Sequence, residues 1–148
     1  VISPQCPRDS WWDAHALVGL LDSVIAMHAI DKSRIYCTGL SMGGFGTWEL
    51  GSFYPERFAA LAPICGIGRW PDSRDYTPFL MYKKPVWVFH GAKDSVVPLD
   101  ESQRMVDALK RRGGKPKFTI YPEANHDSWT KSYDNPKLYE WFLSHKTE

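Results

Sequence analysis

Apolar residues return along this chain in two rhythms, and their alternation predicts its elements. Leu17, Val18, Leu21, Val24 and Ile25 recur every three or four positions, the spacing of a helix with one apolar face. Ser10 followed by Asp13 reads as a capping-box-like start, and polar Asp31-Lys32-Ser33 puts the helix end near Ile30. Val1 to Ser3 reads as the end of a strand stopped by Pro4. Short apolar runs at 34–38, 58–64, 85–90 and 117–121 each predict a strand. A helix carrying Phe45, Trp48 and Phe53 lies between the first two and stops before Pro55, and a last helix covers about 136–144. The helix after Pro98 has Asp100 and Glu101 near its positive end, and Lys110, Arg111 and Arg112 near its negative end. Gly113 stops it, and Ser102, Met105, Val106 and Leu109 mark its inward face. Residues 66–84 show no clear periodicity and read as a long surface excursion. Strand and helix in repeated alternation predict a parallel sheet with helices on both faces, in one domain over residues 1–148.

Ligand sites in such sheets form beyond the carboxyl ends of the strands. That rule draws attention to Ser41, Asp94 and His126, each just after a predicted strand. Gly39-Leu40-Ser41-Met42-Gly43 matches G-x-S-x-G, between a strand and a helix as that pattern requires. A serine on so tight a turn sits in strained backbone among small neighbours, with helix N–H groups near its hydroxyl. Serine is a weak nucleophile until a base takes its proton and a third group orients the base. The order for this arrangement is serine, acid, histidine. Asp94 fits as the acid, although Gly-Ala-Lys-Asp is also good turn chemistry. Asp100 falls in a helix start, Glu123 precedes the histidine by three residues, and Asp127 is adjacent to it. His15 and His28 lie on the first helix, His145 at the carboxyl terminus, and His90 comes before the acid, which leaves His126 as the base.

Composition narrows the function classes. The 148 residues carry a net charge of +1, with 43% hydrophobic and 24% charged residues. No basic run exceeds Lys110-Arg111-Arg112, so there is no electrostatic case for nucleic acid. No apolar run approaches the roughly 18 residues of a spanning helix. Cys6, Cys37 and Cys65 are odd in number and hold no C-x-x-C pair, which indicates neither a zinc site nor a disulfide framework. They read as small buried hydrophobes. Compartment and oligomeric state are not readable from these features.

The stretches Pro4-Gln5-Cys6-Pro7, "RIYCTGLSMGGFGTWEL", "YPERFAALAPICG", "PVWVFHGAKDSVVP" and "NHDSW" together resemble the carboxyl-terminal two-thirds of an α/β-hydrolase of the esterase kind. The similarity is greatest to bacterial esterases and predicted peptidases related to phospholipase/carboxylesterases, feruloyl esterases and polyhydroxybutyrate depolymerases. It implies ester hydrolysis through an acyl-enzyme by Ser41, Asp94 and His126, with the backbone N–H of Met42 donating to the oxyanion. It implies a small-molecule ester as substrate, and no metal or organic cofactor. Family members carry strands ahead of the point where this chain starts, one of which leads into the loop with the second oxyanion donor. The chain is therefore expected to be a piece of a longer enzyme. Trp11, Trp12, Trp48, Trp70 and Trp129 enrich the expected site edge in indole, and Gln5, Trp48 and Trp129 are candidate substrate contacts. Two other readings stay open: a prolyl-oligopeptidase-type peptidase, which shares the order of the three residues, and a binding module that has kept the fold.

Overall fold

The computed structural model describes residues 1–68 and 81–147, which divide into two compact units, Val1–Ile30 and Asp31–Glu148. The first unit holds helix α1, Ala14–Met27. Its start differs from the sequence expectation: Asp13 is itself the cap, and its Oδ1 accepts from the backbone N–H groups of His15 (2.9 Å) and Ala16 (3.1 Å). Extended backbone at Asp13 (φ −106°) brings its short side chain over the first turn, so Ser10 is not needed there. Val1 to Ser3 form no strand, since a strand needs a paired neighbour and none of the described strands pairs with them.

The second unit is built on four parallel strands in the order β1 (Tyr36–Leu40), β2 (Ala60–Ile64), β3 (Trp87–Gly91) and β4 (Lys117–Tyr121). Strands that helices cover on both faces read as continuous apolar runs, and β2 and β3 are buried at every position. Successive side chains alternate between the two faces. Leu61 meets helix α2 (Met42–Phe53) at Gly51, whereas Ala60, Ala62 and Ile64 join Trp87, Phe89 and two residues of helix α5 (Pro136–Leu143), Leu138 and Phe142. Helix α3 (Leu99–Arg111) buries Ser102, Met105, Val106 and Leu109, the face that its spacing marked. Fully burying each of those apolar side chains contributes about 1.5–3 kcal/mol.

Two features were not foreseen. Pro63 lies inside central β2, where a missing N–H interrupts the ladder. Leu61 and Cys65, on either side, donate to the carbonyls of Pro85, just before β3 (3.0 Å), and Phe89, within it (2.9 Å), and pairing between β2 and β3 is reduced to Ile64 with Phe89 and an isolated Leu61–Val86 bridge. A short helix, α4 (Trp129–Tyr133), follows the His126 loop. Within the expected surface excursion, residues 69–80 lie outside the described residues, and so does Trp70. Met81, however, is buried against Gly51. No helix among the described residues is long and apolar enough to cross a membrane.

Candidate active site

β1 ends at Leu40, α2 begins at Met42, and Ser41 makes the whole turn between them. Its backbone is left-handed (φ 49°, ψ −116°), which costs a non-glycine residue about 1–3 kcal/mol. Two hydrogen bonds hold it there: Ser41 N–H to the Ile64 carbonyl (3.0 Å) and Phe45 N–H to the Ser41 carbonyl (3.1 Å). The glycines around it have separable reasons. A Cβ on Gly39 would stand 2.3 Å from the Gly43 carbonyl oxygen, and one on Gly44 would stand 2.6 Å from that of Ile64. At Gly43 nothing lies within 4 Å, so close approach accounts for Gly39 and Gly44 but not for Gly43.

The Ser41 Oγ lies 2.9 Å from Nε2 of His126, and Nδ1 of the same ring lies 2.8 Å from Oδ2 of Asp94. One imidazole thus spans the hydroxyl and the carboxylate. The side chain of Asp94 is buried, and its Oδ1 accepts from the backbone N–H groups of Val96 and Val97, both at 2.9 Å. Burial pushes the Asp94 carboxyl up, but hydrogen bonds from His126, Val97 and Val96 outweigh it and hold the group below the usual carboxylate range. The rival acids are engaged elsewhere. Asp127 accepts from the N–H and hydroxyl of Thr130 (both 3.0 Å), Glu123 pairs with Lys93, and Asp100 sits in the first turn of α3.

The loops that carry acid and base are tied together. Asn125 Oδ1 accepts from the Ser95 N–H (3.0 Å) and hydroxyl (3.2 Å) and from the His126 N–H (2.8 Å). The Lys93 N–H donates to the Ala124 carbonyl at 3.0 Å. At Gly91 the loops touch, since a Cβ there would lie 2.2 Å from the Asn125 carbonyl oxygen.

The candidate substrate contacts separate. Trp129 stands edge-on to the His126 ring, with centroids 5.3 Å apart and planes at 87°. Trp48 is corrected: at 0% exposure it is a core residue of α2, because its helix face turns toward the sheet, and it offers no surface to a substrate. Gln5, in the first unit, is exposed, and its amide donates to the Cys6 carbonyl (3.3 Å). Met42 is the first residue of α2, at its positive end.

Sequence reasoning gave no role to Asn125, set His90 aside by its order, and read Cys65 only as a small buried hydrophobe. Cys65 is buried with φ 40°, and burial pushes its thiol pKa up. Among the described residues, Cys65, Asp94 and His126 are the one grouping of three potential metal ligands, with donor atoms within 4.8 Å of one another. The Asp94 and His126 atoms in it already bond each other.

The sequence profile of the prolyl oligopeptidase family matches residues 70–147, more than half of the chain. The chain belongs to the prolyl oligopeptidase family. Its parallel sheet with helices has the fold of the α/β-hydrolases. A thermostable esterase of known structure superposes with a TM-score of 0.85 at 34% identity, over 97% of this chain and 43% of that one. The poly(3-hydroxyoctanoate) depolymerase of Pseudomonas fluorescens is 26% identical over 98% of this chain and 59% of its own. The acylamino-acid-releasing enzyme of Arabidopsis thaliana is 29% identical over 84% of this chain and 20% of its own. This prolyl oligopeptidase family chain therefore spans little more than half of the depolymerase, and less of the other two.

Proposed function

We propose that residues 1–148 are part of a single hydrolase domain that cleaves carboxylic esters through an acyl-enzyme. The observation that carries this reading is the His126 ring, within hydrogen-bond distance of Ser41 Oγ on one side and of Asp94 Oδ2 on the other. Asp94 accepts a hydrogen bond from Nδ1–H and stays ionised, which leaves Nε2 free to take the Ser41 proton as Oγ attacks the ester carbonyl. The Met42 N–H and the amino end of α2 stabilise the negative charge that develops on the carbonyl oxygen. As the carbon–oxygen bond breaks, the Nε2 proton passes to the departing alcohol and the acyl group stays on Oγ. Water then gives its proton to Nε2 and attacks the acyl carbon. The carboxylic acid leaves, and Ser41 recovers its hydrogen.

The esterase and the depolymerase named above support an ester over an amide. The family itself and the acylamino-acid-releasing enzyme favour the second reading, a peptidase that uses the same three residues. A fluorophosphonate probe tests the mechanism common to both: it is expected to label the wild-type chain and to leave Ser41→Ala unlabelled. Labelling that survives the substitution takes Ser41 out of its role. Paired assays with p-nitrophenyl acetate and an aminoacyl-anilide then rank the two readings, with faster ester cleavage expected.

A further inference from the structure

His90, set aside as a base because it precedes the acid, lies wholly buried on β3 against the same carboxylate. Its Nε2 is 2.9 Å from the Val97 carbonyl oxygen and 3.2 Å from Asp94 Oδ2, and its Nδ1 is 2.7 Å from the hydroxyl of Ser102 on α3. Both neighbours of Nε2 are acceptors only, so that nitrogen carries a hydrogen. In the neutral ring, Nδ1 then accepts from the Ser102 hydroxyl. That hydroxyl has one hydrogen to give, and the contact at 2.7 Å takes precedence over the Gly66 carbonyl at 3.3 Å.

We infer that His90 is a positioning residue for the acid: its Nε2–H, donated to the Val97 carbonyl, anchors the turn that carries Asp94, and its ring backs the carboxylate with Nε2 3.2 Å from Oδ2. An ionised carboxylate offers about four acceptor positions. The N–H groups of Val96 and Val97 fill those of Oδ1 and His126 takes one on Oδ2, while Nε2 of His90 lies 3.2 Å from that same oxygen. With Oδ1 held by the two N–H groups of a turn that His90 anchors, Oδ2 stays aimed at Nδ1 of His126 while the imidazole gains and loses its second proton. The Val97 carbonyl, bonded to the same Nε2–H, closes the 94–97 turn onto β3. Ser102 in turn stops the His90 ring from flipping. The inference rests on the proposed roles of Ser41, Asp94 and His126.

The test uses the full chain with His90→Gln, His90→Asn and His90→Leu. The amide nitrogen of Gln reaches the place of Nε2, whereas that of Asn reaches only the place of Nδ1. Leu supplies no donor. With p-nitrophenyl acetate, His90→Leu and His90→Asn are expected to lose about 10²-fold in kcat at little-changed KM, the scale of an ångström's misplacement. The strongly downfield proton of His126 Nδ1–H should broaden in both. His90→Gln is expected to recover most of kcat and to restore that resonance. Equal behaviour of Gln and Asn, or a Leu variant with wild-type kcat and an unmoved resonance, overturns the inference. Should the variants fail to fold, proton–nitrogen correlation of the His90 ring in the wild-type chain decides: Nε2 must be protonated, and an unprotonated Nε2 overturns it. If the wild-type chain hydrolyses no ester, the functional reading falls, while the ring tautomer and the downfield proton still test His90.

Discussion

Ser41 holds two properties that oppose each other, a hydroxyl displayed on a sharp turn and a backbone conformation that side chains resist. Replacing it separates them. Ser41→Gly is expected to gain about 1 kcal/mol in urea unfolding, because glycine adopts a positive φ without the Cβ penalty. Ser41→Ala is expected to lack that gain, and both should be inactive. Asp94 makes a second prediction, on pH. Its folded pKa lies below the ordinary value of 3.8, so the stability it contributes is complete above the unfolded value and is lost as pH falls through the lower folded one. Urea midpoints measured between about pH 5 and pH 2 should therefore fall more steeply for the wild type than for Asp94→Asn, which no longer titrates there. At this scale the G-x-S-x-G serine was legible, because its pattern is local. Trp48 was not, since neither an indole's size nor its place near a motif tells which way its helix face turns.

Among the elements, the loops after β3 and β4 determine whether acid and base meet. At Gly91 the backbones pack closely, and a Cβ there would also lie 2.4 Å from the Ala124 carbonyl oxygen. Gly91→Ala must part the loops. It is expected to cost about 1–3 kcal/mol in unfolding experiments and about 10² in kcat, and a variant with wild-type values of both would show that the loops yield without moving the site. Helix α3 was readable apart from buried Ala108: its end charges, its stop and most of its inward face are features of residues a few positions apart. Helix α4 was not, because five residues are too few for a periodicity to show. The meaning of Pro63 was equally hidden. A proline in a buried strand matters through the neighbour that its missing N–H would have faced, and only the strand order names that neighbour.

Across the sheet, protection should follow position. β2 and β3 are central and buried at every residue, whereas β1 and β4 each pair with a single described strand and have exposed positions. In hydrogen exchange, the amides of Leu61 and Cys65, which donate toward β3, are expected to open only with global unfolding, and those of β1 and β4 earlier. Faster exchange at Leu61 than along β1 would contradict this. The alternation of strands and helices, the serine turn and the ranking of acid and base follow from the sequence, because each depends on neighbours close in the chain or on the order of elements along it. The meeting of Ser41, His126 and Asp94, the ties through Asn125 and Gly91, and the contact of His90 with the acid were settled only by the tertiary structure. Those contacts join residues from separate strands and loops, and their distances depend on strand register and loop packing, which no local pattern of side chains encodes.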